Sequence, residues 1–84
     1  MNGLLITFRS VTPAQRAEGL LKKRGISCML RRTPRWMEEK GCGYCLQLPE
    51  KQLREAMELL RSGNIDFRKI YSISGIGDAR EISL

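Results

Sequence analysis

Cys42 and Cys45, in the run Cys42-Gly43-Tyr44-Cys45, are the residues of this chain best suited to chemistry. Thiols at this spacing can close a disulfide, hold a soft metal or pass sulfur from one to the other. The reactive form is the thiolate, only a few per cent of the population at neutral pH for an ordinary cysteine. Depressing a thiol pKa by one unit corresponds to about 1.4 kcal/mol of preferential stabilisation of the anion. Arg32, Arg35 and Lys40 lie on the segment leading into Cys42 and are the candidates to supply it. Gly41 and Gly43 flank Cys42 and leave its sulfur accessible.

Cys45 lies three residues further on, an odd offset that along a strand points its side chain away from that of Cys42. The same parity sets Cys45 and Gln47 against Tyr44, Leu46 and Leu48, which places Cys45 on the open face rather than in the core. Packing and function both stand open for it. Cys28 reads as a small hydrophobe in a strand. For Cys42, in a glycine-flanked basic loop, the functional reading is the stronger.

Other chemistries fall short on residue types. A closed zinc site takes four ligands, and three cysteines without a histidine do not fill it within one chain. Iron–sulfur ligation meets the same shortfall, and a cysteine protease would lack its histidine base. Two copies could offer two cysteine pairs across a symmetry axis. No resident metal or cofactor is expected. Glu38 and Glu39 read as a solvated pair, and Gly75-Ile76-Gly77 lacks the third glycine of a phosphate loop.

The chain has 84 residues, which fits one domain with a thin core, and self-association would be a common remedy. Its formal net charge is +6. Residues 1–48 hold nine basic and three acidic side chains, whereas residues 49–84 hold six of each, so the excess leads up to the cysteine pair. Such a distribution favours an anionic partner. Leu4–Ile6 is far too short for a signal core, and no run approaches the roughly 20 apolar residues of a membrane span. The expectation is a cytoplasmic protein with no membrane partner, where disulfides are transient or catalytic.

The elements that must position the thiols follow from periodicity and punctuation. Leu4–Arg9 predicts a strand with Leu4, Ile6 and Phe8 inward and Thr7 and Arg9 outward. Thr12 predicts a helix N-cap with Pro13 first in the helix and Gln15 completing a capping box. Gly25 predicts its left-handed end. Ile26–Arg32 reads as a second strand, Thr33–Gly41 as a connection, and Tyr44–Leu48 as a third strand. Pro49 opens a second helix with Leu53, Ala56, Met57 and Leu60 along one stripe, stopped by Arg61–Asn64. Phe67–Ile73 reads as a fourth strand. Residues 1–73 form the domain, and 74–84 a tail that could add an edge strand, cross the open face or stay unstructured.

The order β-α-β-β-α-β predicts an α+β, ferredoxin-like split βαβ, with a four-stranded antiparallel sheet, two helices on one face and the other face open. A thioredoxin-like fold is disfavoured because the cysteine pair runs into a strand, not a helix. RNA-binding sheets of this class stack bases on aromatics of the central strands. Here Phe8 and Tyr44 fall on the core side, so nucleic acid is not the expected partner. Trp36 reads as a cover for a sheet edge.

These residues resemble the selenium/sulfur carrier-like proteins, over about Leu4 to Ile73. The likeness rests on Arg16-Ala17-Glu18 and Leu20-Leu21-Lys22, then Gly25-Ile26, Thr33-Pro34-Arg35, Cys42-Gly43 and Ile70-Tyr71-Ser72-Ile73. It implies that Cys42 is the carrier thiol, holding sulfur or selenium as a persulfide or selenosulfide, with Pro34 and Arg35 as supporting residues. It further implies a protein donor and a protein acceptor, and a relay rather than a turnover enzyme. Lys40 and Gly41 stand where the family often has small serines, and Cys45 is a second departure. Cys45 would let a persulfide on Cys42 be released by internal attack. Two alternatives are an interaction or regulatory module with incidental cysteines, and a thiol redox sensor.

Overall fold

Leu4, Ile6 and Phe8 are fully buried, as their alternation requires, and they define the sheet face that both helices cover. The computed structural model describes residues 3–32, 43–73 and 79–82. Its elements are β1 (Gly3–Phe8), α1 (Val11–Lys23), β2 (Met29–Arg32), β3 (Tyr44–Pro49), a single 3-10 turn (Glu50–Gln52), α2 (Leu53–Ser62), β4 (Ile70–Ile73) and β5 (Ala79–Ile82). The sheet has five strands in the order β2-β3-β1-β4-β5, and every neighbouring pair is antiparallel.

The α+β class and the two-helix count agree with expectation; the plain four-stranded ferredoxin-like sheet does not. A fifth strand from the region read as a tail pairs with β4, Tyr71 opposite Glu81 and Ser72 opposite Arg80. Its Ala-Arg-Glu-Ile sequence carries too weak an alternation to announce a strand, and main-chain pairing with β4 supplies what the side chains do not.

Ala14, Ala17 and Leu21 of α1 and Ala56 and Leu60 of α2 complete the core with Leu46, Leu48 and Ile70. Burying each large apolar side chain contributes roughly 1.5–3 kcal/mol. The start of α1 differs from expectation. Ser10, extended at φ −147° and ψ 172°, is the N-cap, and no side chain caps the helix. Pro13 lies in the first turn, where the main-chain N–H groups have no intrahelical partner, so its missing donor costs little.

Both helices end alike. Gly25 has φ 81°, its N–H donates to the Lys22 carbonyl (3.0 Å), and Ile26 N–H reaches back to Leu21 (2.9 Å). Asn64 takes φ 54° with the equivalent bonds to Arg61 (3.2 Å) and, through Ile65, to Leu60 (2.9 Å). Each is a Schellman ending with a buried isoleucine after the left-handed residue. Because Ile26 is held by this cap, β2 begins at Met29 rather than at Ile26. Pro49 closes β3, and the 3-10 turn intervenes before α2.

Candidate functional site

Of the residues singled out around the thiol, Pro34, Arg35, Lys40 and Cys42 lie outside the described residues, as do Trp36, Glu38, Glu39, Gly75 and Gly77. The frame that receives Cys42 is described. Gly43, bonded directly to it, is buried and leads into β3. At the same end of the sheet β1 finishes with Phe8 opposite Tyr44, and β2 finishes with Arg32 opposite Tyr44 from the other side. Arg32, one of the cations expected to favour a thiolate, is thus at the strand end opposite Tyr44, which follows Cys42 by two residues in the sequence. Cys45 pairs with Thr7 on one side and Arg31 on the other.

Cys45 faces away from the helices, as strand parity predicts, yet it is only 1% exposed. That side of the sheet is closed at its centre. Leu5 and Thr7 are buried there too, and Tyr71 and Ile73 of β4 pack against the Leu5–Cys45 pair. Thr7 is on the outward side as predicted, but the expectation that this side is open is corrected at its centre. Alternation fixes which side a residue faces, but not how far its large neighbours lean over it. Nearer the edge, Arg31 Nη1 donates to Gln47 Oε1 at 2.7 Å, and Met29 is 61% exposed.

Cys28 packs against the core, as its place in the sequence predicts. Its Sγ contacts the Glu18 carbonyl oxygen at 3.8 Å. Burial pushes its thiol above the ordinary cysteine range, the Glu18 carboxylate adds to this, and Lys22 partly opposes it. A thiol so held is protonated at neutral pH and a poor nucleophile.

Two cations at the Cys42 end escaped the sequence reading. Arg68 and Lys69 belong to the electrically neutral half of the chain, where the sequence predicts a regular fourth strand. Instead, Thr7 N–H donates to the Lys69 carbonyl (2.8 Å) while Arg68 N–H donates to the Thr7 carbonyl (2.7 Å). Two residues facing one is the signature of a bulge, which re-aims the side chains it carries. Arg68 and Lys69 thereby join Arg9, Asp66 and Phe67 around a cleft of about 390 Å³. Lys69 Nζ lies 3.6 Å from Glu81 of β5. The topology, not the sequence order, brings these side chains to one end.

The fold and the site together define a small α+β domain with Arg9, Arg32, Arg68 and Lys69 at the sheet end where Gly43 leads into β3. Residues 3–72 match the family model described as Putative Se/S carrier protein-like, and the chain belongs to that family. No curated protein and no solved structure matches it. No helix among the described residues is long and apolar enough to cross a membrane.

Proposed function

We propose that this chain accepts sulfane sulfur or selenium on Cys42 and hands it to a partner protein. The observation that carries the reading is membership of the carrier family over a span that includes Cys42 and Gly43. The register that sets Arg32 at the Cys42 end of the sheet supports it, since a cation there favours the thiolate and the anionic persulfide.

Loading is a sulfur transfer between thiols. The Cys42 thiolate attacks the terminal sulfur of a donor persulfide, one S–S bond forms as another breaks, and the donor leaves as thiolate. Unloading by an acceptor thiolate repeats the step. Cys45 offers a second outlet: its thiolate attacks the Cys42 sulfur, leaving a Cys42–Cys45 disulfide and releasing hydrosulfide. The sulfane sulfur is reduced as the two thiols are oxidised, and a small-molecule thiol then regenerates the pair. Since Cys45 is buried, this outlet requires local opening at the start of β3. Handover to an acceptor that reaches Cys42 does not.

Intact-protein mass spectrometry after incubation with a cysteine desulfurase and cysteine tests the reading. Wild type is expected to gain one sulfur and Cys42→Ser none. Equal uptake by both would overturn it. No uptake by either, with the thiols still alkylatable, favours an interaction module instead.

A further inference from the structure

Arg31 and Cys45 are direct cross-strand partners in the β2–β3 pair, so their side chains leave the same face of the sheet. In an antiparallel pair that sets their Cβ atoms about 5 Å apart. Among the described residues, the other elements packed against Cys45 bring no carboxylate and no cation. β1 supplies Leu5 and Thr7, and β4 supplies the Tyr71 phenol and Ile73. Beyond β1, Arg68 and Lys69 stand opposite Thr7, two strands from Cys45, with Lys69 held by Glu81 at 3.6 Å. At about 4.8 Å per strand, that distance is close to the screening length of about 10 Å in ordinary salt. Arg31, one strand away, is the nearer charge. Its Nη1 donates at 2.7 Å to Oε1 of Gln47, which lies on the same face two residues along β3 from Cys45. A neutral amide oxygen fixes the guanidinium there without cancelling its charge.

We infer that Arg31 governs the reactivity of the Cys45 thiol: Gln47 keeps the guanidinium beside it, and the charge favours the thiolate when the start of β3 opens. A cation within about 4–6 Å stabilises the ionised form of an acid, and a guanidinium keeps its charge throughout the range in which thiols ionise. The reaction served is release of sulfur from a loaded Cys42. The Cys45 thiolate bonds to the Cys42 sulfur as the bond from Cys42 to the sulfane sulfur breaks. The sulfane sulfur leaves with the bonding pair as hydrosulfide, reduced as the two thiols are oxidised to a disulfide. A small-molecule thiol restores the pair. Arg31 is thus a positioning residue for the second thiol and has no part in loading. As an aid to release, this role rests on the carrier reading. As the charge that sets the ionisation of Cys45, it stands without it.

The test is the pH dependence of alkylation by iodoacetamide in the Cys42→Ser chain, which cannot close the disulfide. Mass spectrometry of the peptides follows Cys45 by itself. Arg31→Gln, at an exposed position, removes the charge and keeps an amide donor for Gln47. It should raise the pH midpoint of the Cys45 reaction by about one unit, a roughly tenfold slower reaction at neutral pH. Arg31→Lys keeps the charge and should restore most of the original midpoint. Gln47→Leu removes the acceptor but not the charge, and should leave the midpoint unraised. An unchanged midpoint in Arg31→Gln would overturn the inference. So would an equal rise in Gln47→Leu, because the hydrogen bond between the strands, not the charge, would then govern the thiol. With Cys42 restored, sulfur uptake and hydrosulfide release are read separately, and Arg31→Gln should slow release and leave uptake unchanged. Loading without a midpoint shift removes the role of Arg31 but keeps the carrier, and a midpoint shift without loading does the reverse.

Discussion

The Thr7 hydroxyl takes the place of a main-chain group opposite Lys69, accepting from the Lys69 N–H at 3.0 Å and donating to the Lys69 carbonyl at 3.2 Å. One side chain therefore completes the ladder where the bulge interrupts it. Thr7→Val preserves shape and leaves that N–H without its acceptor, which should cost about 1–3 kcal/mol. Urea denaturation is expected to show a lower midpoint at unchanged m-value. Thr7→Ser, which keeps the hydroxyl, should lose less. A larger loss in Thr7→Ser than in Thr7→Val would mean that the methyl group, not the hydroxyl, holds this junction.

The two helix ends make different predictions at equivalent positions. Gly25→Ala forces a side chain into the left-handed region at φ 81° and should destabilise by about 1 kcal/mol. Asn64→Gly removes a strained side chain at φ 54° and should be near neutral. Paired thermal and urea unfolding curves check both.

Much of this pattern was legible before the fold. The core stripe of Leu4, Ile6 and Phe8, the Tyr44, Leu46 and Leu48 face, and the Gly25 stop are local signals that tertiary structure did not overrule. What escaped depends on long-range pairing. The Thr7–Lys69 junction, the pairing of Ala79–Ile82 with β4 and the cover over Cys45 arise between segments far apart in sequence. Arg68 and Lys69 illustrate the limit for the site: their chemistry is plain, but nothing local says they meet Arg9.

Cys28 gives a pH dependence with a definite sign. Its thiol in the folded chain holds a proton to higher pH than in the unfolded chain. Below the ordinary thiol pKa both states are protonated and the stability contribution is fully present. As pH rises from that value towards the raised folded one, the unfolded chain ionises first, so stability falls. Comparing urea midpoints of wild type and Cys28→Ala between pH 7 and pH 10 (a range spanning about 1.5 units either side of an ordinary thiol) should show a steeper alkaline decline in the wild type. Glu18→Gln should flatten it.

Cys45→Ala separates uptake from release. Sulfur uptake should match wild type, whereas hydrosulfide release in the absence of an acceptor should disappear. Mass spectrometry and a sulfide assay on the same samples read the two. In the native state Cys45 should alkylate at least about tenfold more slowly than in urea, since the reaction must await opening.

Among the described residues the outer strands of the sheet are Met29–Arg32 and Ala79–Ile82, and each carries charge: Arg31 and Arg32 on one, Arg80 and Glu81 on the other. Short, charged borders discourage main-chain pairing with another molecule. Such borders amount to protection from aggregation. Crowded copies have little to polymerise along these two strands.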